Sequence, residues 1–477
     1  MKKFIFFLLF ASVIHVFADG ADGFDVPAGI EPDVDFWKKV YGEWESNQVI
    51  FYDEVAKVVY DTLSLPPVEG QISSPSFKDR VDERLKELSL ILKQIDAGLR
   101  PDPMSSLYRS VLNIVEKNGN LKAGGLSGRL RYQNGLRGQF ELGLKNSERY
   151  IRDMEAILAI NGLPPDLLVL VFVESLFYIS ATSHKGASGP WGFVKETAIR
   201  SGIHVNNFTD ERLDPVLATK AAANFLKRSK LGLGEWPLVI TSYNYGYSGM
   251  MRASTNLGTK DLKTIIDNHQ SPLFGYASKN YYAEFLAARD IFIDHKKYFP
   301  SLIKEEPWRY QLVQVLRPVD VQDLKKVSAV DPKWLKSLNP GLSHRTISGH
   351  EVIPAQYSLR IPHGTSDRFY DRLKRIPSKK RRAAGYKIST RHKANGKESI
   401  STIAKLFGIS ADFLAKKMGN KSIAYTPSKG VVIIRSEDHL FSSLEEIQNQ
   451  MKDWRRQKGQ EMAQNSDTGT TGAEGSQ

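Results

Sequence analysis

Apolar positions in the first third of the chain recur at helical spacing. Val81 to Ile95 and Met104 to Lys117 read as amphipathic helices, and residues 30–147 as a helical region without visible chemistry. Glycines at 124, 125 and 128 punctuate it. A helix from Ser147 to Ile160 stops at Asn161-Gly162. Pro164-Pro165-Asp166 then restarts the chain, with proline and an acid where first helical turns favour them. The next segment, Leu167 to Tyr178, is not amphipathic. Its sequence LLVLVFVESLFY is apolar on every face, the pattern of a helix buried in a domain centre. Glu174 is its one charged residue. Further helical segments continue to about His295.

Beyond that point the texture changes. Asp323 to Asn339 and Ser401 to Met418 share a pattern, with Val330, Trp334 and Leu335 matching Ile409, Phe413 and Leu414 at a constant offset. Each is preceded by a β-like run (Tyr310 to Leu316; Gly385 to Thr390) and followed by another (Tyr357 to Pro362; Gly430 to Arg435). This predicts a strand-helix-helix-strand unit used twice. The basic stretch Lys374 to Arg382 between them reads as a solvated linker. After about Arg456 the chain is rich in Gly, Ser, Thr and Gln, a composition that does not fold by itself.

Composition sharpens this picture. At 477 residues the chain is long enough for two to four domains, and its 41% hydrophobic content is that of a globular protein. It has no cysteine, which excludes disulfides, thiolate metal sites, a cysteine nucleophile and lipid attachment through an N-terminal cysteine. Lys2 and Lys3 precede an apolar run from Phe4 to Phe17 and then Val16-Phe17-Ala18, which predicts an export signal cleaved after Ala18. A retained membrane anchor is the alternative, although the run is shorter than the roughly 20 apolar residues a spanning helix needs. The net charge of +13 suits an anionic polymer, anionic lipid or nucleic acid. An export signal argues against nucleic acid and leaves an anionic polymer or lipid of the envelope. The ten histidines show no ligand spacing, so neither metal nor organic cofactor is implied.

Glu174 is the leading candidate for chemistry. Burial disfavours its ionised form and holds it protonated closer to neutral pH. A protonated carboxyl facing a cleft is what cleavage of a glycosidic bond needs, because the leaving oxygen must receive a proton. A structural glutamate, satisfied by hydrogen bonds or a buried cation, is the competing reading. Three polar-aromatic clusters suggest a carbohydrate cleft around it. One is the Gly-rich turn His184 to Phe193, where glycines permit close backbone approach and an aromatic can stack on a sugar. The others are Thr241 to Gly246 and Ser278 to Tyr282. A hydrolase of the usual kind needs two carboxylates flanking the bond. Only one well-placed acid is visible, since Glu196, Asp210, Glu211 and Asp214 read as polar and exposed, and Asp214-Pro215 as a turn.

Several motifs together carry a family resemblance. They are Glu174-Ser175-x-Phe177, Ser183-x-x-Gly186-Ala187-Ser188-Gly189-Pro190-Trp191, Asp210-Glu211-Arg212-x-Asp214-Pro215, Ala218-Thr219-x-Ala221-Ala222, Ser242-Tyr243-Asn244-Tyr245-Gly246 and Asn280-Tyr281. In this order they resemble the lysozyme-like catalytic domain of the lytic murein transglycosylases, with Arg137-Gly138-Gln139-Phe140 and Gly143-Leu144 pointing to the D-type branch. The two repeated units resemble LysM modules, which bind N-acetylglucosamine. The resemblance implies an α+β, mainly α protein: a signal peptide (1–18), an N-terminal helical region (19–147), a catalytic domain (148–300) and a degenerate LysM-like module (306–365). A basic linker (366–384), a second LysM-like module (385–437) and a C-terminal helix with a disordered tail (438–477) complete it.

The resemblance also implies roles. Glu174 would protonate the glycosidic oxygen between N-acetylmuramic acid and N-acetylglucosamine, then act as base on the muramic 6-hydroxyl, leaving a 1,6-anhydromuramic end. Ser175 and Tyr243 would hold the sugar and its developing charge, Asn244 and Tyr281 would line the cleft, and Ser183, Gly186, Ala187, Gly189 and Trp191 would shape its substrate-binding wall. The implied partner is the peptidoglycan glycan strand, in the periplasm and associated peripherally with the envelope. One departure stands out: Gly192 replaces the glutamine usual after Trp191. A second is Gly396 to Ser399, in place of the usual start of a LysM module. Two other readings stay open at this point, a muramidase using water and a non-catalytic wall-binding protein.

Overall fold

The computed structural model describes residues 23–65, 75–315 (less 102, 120, 122–123 and 184–185) and 318–366 (less 328–331 and 355–356). Beyond these it describes 369, 371, 375, 389–394, 399–401, 415, 422, 425 and 430–435. The expected signal segment, the basic run Lys379 to Arg382, nearly all of the second module's helical part and residues 438–477 lie outside the described residues.

The N-terminal region is not wholly helical. Helix α1 (Glu31–Gly42) leads into strands β1 (Gln48–Asp53) and β2 (Val59–Ser64), then α2 (Pro75–Asp96), α3 (Ser106–Lys117), β3 (Leu130–Asn134) and α4 (Arg137–Ser147). The strands form an antiparallel sheet in the order β2-β1-β3, with Phe51 opposite both Asp61 and Tyr132. This corrects the all-helical expectation. The runs QVIFYD and VYDTLS carry the β-branched and aromatic residues that suit a half-buried sheet. Successive side chains of β1 face opposite cores. Val49 and Phe51 pack with Leu88, Leu92 and Val111 of α2 and α3, while Ile50 and Tyr52 enter the main core.

The main core is helical: α5 (Ile151–Ile160), α6 (Leu170–Ser175), α7 (Lys195–Arg200), α8 (Pro215–Leu233), α9 (Trp236–Tyr245), α10 (Tyr247–Leu257), α11 (Leu262–Asn268), α12 (Tyr276–Ile293) and α13 (His295–Tyr298). Trp37, Val40 and Tyr41 of α1 and Phe140 of α4 belong to the same core as Phe172 and Phe285. Asp214 is not an exposed turn residue. It is buried and caps α8, accepting from the Val216 and Leu217 amides at 3.1 Å, with Pro215 at the first helical position. Glu211 is buried too, bound to the His204 amide (2.7 Å) and to His204 Nδ1 (3.0 Å).

After the helices come β4 (Tyr310–Gln314), β5 (Val319–Asp320), α14 (Val321–Val327), α15 (Pro332–Leu338), α16 (His344–Ile347), β6 (Val352–Ile353) and β7 (Ser358–Pro362). β4 pairs antiparallel with β7, closing a strand-helix-helix-strand unit over its own core of Val313, Leu324, Leu335 and Leu359. The unit is fixed to the helical core. Arg360, buried on β7, pairs with Asp214 through both terminal nitrogens, and the Ser343 amide donates to the Phe208 carbonyl at 3.0 Å. The Tyr310 hydroxyl donates to Asp153 Oδ2 at 2.6 Å. Farther on, β8 (Ser389–Ala394) pairs antiparallel with β9 (Gly430–Arg435); the first part of the strand expected at 385–390 lies outside the described residues. Among the described residues no helix is long and apolar enough to cross a membrane.

Candidate active site

The helix expected from Leu167 to Tyr178 is shorter than its apolar run. A 3₁₀ turn (Pro165–Val169) feeds α6, which ends at Ser175 because Leu176 (φ 49°) and Phe177 (φ 58°) are both left-handed. Each such residue costs about 1–2 kcal/mol. The turn is held by bonds from the Leu176 amide to the Phe172 carbonyl (3.0 Å) and from the Phe177 amide to the Val171 carbonyl (3.4 Å). Gly143 of α4 has no Cβ to obstruct the Leu176 carbonyl. Glu174 therefore stands on the last turn of α6, where the chain breaks away from the core. Strained backbone of this kind concentrates at functional sites.

The Glu174 carboxyl has no cationic partner among the described residues. Burial pushes its pKa up to about 7, against a smaller lowering by the Tyr281 hydroxyl, which donates to Oε1 at 2.5 Å. With Oε1 accepting that bond, the carboxyl proton belongs on Oε2. That oxygen lies against Gly192, whose φ is +61°, and a Cβ there would come within 3.0 Å of the carboxyl carbon and closer still to Oε2. The absent side chain thus makes room for the acid. Tyr243, on α9, donates to the Trp191 carbonyl at 2.9 Å. Burial, and after it the charge of Glu174, holds the Tyr243 phenol well above its ordinary pKa. The same two influences, with the bond to Glu174, hold the Tyr281 phenol high as well, so both rings stay neutral donors.

A second carboxylate stands in this environment, correcting the expectation of a single acid. Glu284 lies one turn beyond Tyr281 on α12, accepts a hydrogen bond from Tyr41 of α1, and is pushed up to about 8 by burial and then by the charge of Glu174, against a lowering by Lys57. Burial thus biases it toward its protonated form, and it is bound to a phenol, unlike the free carboxylate that would activate a water. Its signal in the sequence was the one already used for Glu174: a lone acid in an apolar helical run, here YYAEFLAA.

The remaining candidates divide. Ser175 donates to the Val171 (3.1 Å) and Pro190 (2.9 Å) carbonyls, tying α6 to the Gly-rich turn. Ser183 and Gly186 are exposed on that turn, with the Ser183 Oγ accepting from the Ala187 amide at 3.1 Å. Arg212 braces the turn through the Gly186 (2.9 Å) and Phe193 (3.2 Å) carbonyls and is itself held by Asp210. Gly189 (φ +78°) is buried against the Arg212 carbonyl, where any Cβ would collide, so it serves packing. Trp191 is not a sugar platform. It is fully buried, and its indole N–H donates to Thr219 Oγ1 at 2.8 Å. Its contribution to the site is its carbonyl. Asn244 is exposed; its Oδ1 accepts from Ser278 Oγ at 2.7 Å, leaving its amide N–H donors available.

Residues 154–266 match the model of the transglycosylase SLT domain. The chain is 29% identical over 206 residues to the membrane-bound lytic murein transglycosylase D of Escherichia coli (strain K12), an overlap of 42% of this chain and 45% of that protein. It is 34% identical over 100 residues to a putative tributyltin chloride resistance protein of Alteromonas sp. (strain M-1), covering 21% of this chain and 48% of that one. The chain thus spans about half the length of the curated relatives it matches.

Proposed function

Starting from a transglycosylase SLT domain across residues 154–266, we propose that this protein is a lytic transglycosylase of the murein-cleaving D type. It cuts the β-1,4 bond between N-acetylmuramic acid and N-acetylglucosamine in peptidoglycan for cell-wall remodelling, leaving 1,6-anhydromuramic ends. Glu174 is its acid and then its base. The observation that carries this reading is the state of that carboxyl: half-buried, its pKa raised to about 7, anchored at Oε1 by Tyr281 and facing Gly192 with Oε2.

The chemistry follows from the proton positions. Oε2–H is delivered to the glycosidic oxygen as the bond breaks, and the resulting carboxylate keeps its bond from Tyr281. A pKa near 7 matches both giving the proton and recovering one from the muramic 6-hydroxyl. That hydroxyl closes onto the anomeric carbon of its own ring, so proximity lowers the barrier by several kcal/mol and no water is added. Glu284, bonded to Tyr41 and biased by burial toward its protonated form, is a poor base for a water-using route. Asn244 supplies hydrogen-bond donors near the reacting sugars, and the Tyr243 hydroxyl, its proton held by the Trp191 carbonyl, offers an acceptor. The first strand-helix-helix-strand unit and the paired β8 and β9 are LysM-like modules that hold the glycan near the cleft. The protein acts in the periplasm after loss of residues 1–18 and associates peripherally with the envelope.

Mass spectrometry of purified peptidoglycan digested by the wild type and by Glu174→Gln tests this. Anhydromuramic ends from the wild type and none from the variant are expected. Reducing ends would establish a hydrolase, and products unchanged by the substitution would remove Glu174 from the chemistry.

A further inference from the structure

A groove of about 470 Å³ lies where the N-terminal region meets α11 and α12, within the size range of ligand sites. One wall comes from the start of α1, the turn after β1 and β3, all preceding the SLT match at residues 154–266. Its lining charges pair off. Lys57 meets Asp33 at 3.0 Å, Lys263 meets Asp267 at 2.6 Å, and Arg131 meets Glu54. Lys279, half-buried on α12, is the lining cation left without a carboxylate among the described residues. Tyr276, bonded to Tyr52 and covered by the Arg131 guanidinium 4.7 Å from its ring centre, stiffens the floor.

We propose that this groove binds the carboxylate-bearing stem peptide of the strand being cut, with Lys279 as its anion contact. The alternating fixed charges suit a ligand carrying both amines and carboxylates, and the one surplus cation favours a net negative one. A bare glycan offers no such pattern. Helix α12 borders both groove and cleft: Tyr276 and Lys279 face the groove, whereas Tyr281, about 200° around the helix from Lys279, reaches Glu174. The two sites thus lie on opposite sides of one helix about 10 Å across, a distance that an extended stem peptide of a few residues, at about 3.3–3.6 Å each, spans by passing around α12. The inference rests on the proposed peptidoglycan activity.

The test uses the full chain as wild type, Lys279→Gln and Lys279→Glu, in two arms. In the first, a fluorescent free stem peptide is titrated and followed by anisotropy. In the second, kcat/KM is compared on strands with stems and on strands stripped by an amidase. Expected are peptide binding weakened about tenfold by Lys279→Glu and less by Lys279→Gln, and a similar loss of kcat/KM, through KM, on stem-bearing strands alone. Failure of the wild type to bind the peptide, or equal losses on both kinds of strand, would overturn the assignment. A wild type that binds peptide but cleaves neither strand would refute the activity and leave the groove standing.

Discussion

Gly192 offers the sharpest test of how the acid is held. In Gly192→Ala the new Cβ stands 3.0 Å from the Glu174 carboxyl carbon, whereas carbon atoms settle at about 3.5–4.0 Å. The carboxyl must therefore retreat by about 0.5–1 Å, away from the position fixed by Tyr281. Misplacing a reacting group by that distance costs up to about 10²-fold in rate. The left-handed backbone at 192 adds about 1–2 kcal/mol of strain for any residue with a Cβ, which lowers Tm by only a few degrees. Gly162→Ala is the matched control: its φ is +69° and its Cβ would meet nothing within 4 Å. Release of soluble fragments from purified sacculi, with melting curves for both variants, separates the effects. Both should melt slightly earlier, and only Gly192→Ala should lose turnover. Gly192→Gln, restoring the residue usual in the resembling family, carries the same Cβ and should fall as far. Turnover of Gly192→Ala within twofold of the wild type would refute the confinement of the acid.

Three further outcomes follow from the same geometry. Tyr281→Phe removes the bond that lowers the Glu174 pKa, so the alkaline limb of the pH–rate profile, lost in the wild type through about 7, should move to higher pH while kcat falls roughly tenfold. Glu174 and Glu284 both have folded pKa values raised from 4.5, so the stability they contribute is complete below about pH 4.5 and lost as pH rises through about 7 and about 8. Melting of Glu284→Gln against the wild type should therefore show a gain in Tm at pH 9 and none at pH 4. Arg360→Met leaves Asp214 buried without its cation, and urea denaturation should register a loss of about 3–5 kcal/mol.

The chain's own pattern disclosed the centre of the site more readily than its surroundings. An acid in an all-apolar run is legible because charge inside a core needs a reason, and Asp214-Pro215 is a helix start that one-dimensional reading took for a turn. Trp191 shows the limit: a loop sequence does not tell which way an indole points, and here Thr219 and the core claim it. β1 and β2 are hard to read from sequence because short strands between long helices show little periodicity of their own, and β3, the second partner of β1, lies 77 to 85 residues away in sequence. Glu284 was missed for a related reason. Its meaning depends on Tyr41, brought to it by α1 from the far end of the chain.

That role of α1 bears on how the protein can be dissected. A fragment beginning at residue 148 would strip Trp37, Val40 and Tyr41 from the long helix that carries Tyr281 and Glu284. It would leave a greasy trench along α12 and deprive Glu284 of its phenol. Recombinant work aimed at a minimal cutting unit should keep the chain from about residue 23 onward, because the border suggested by homology runs through the middle of one folded body.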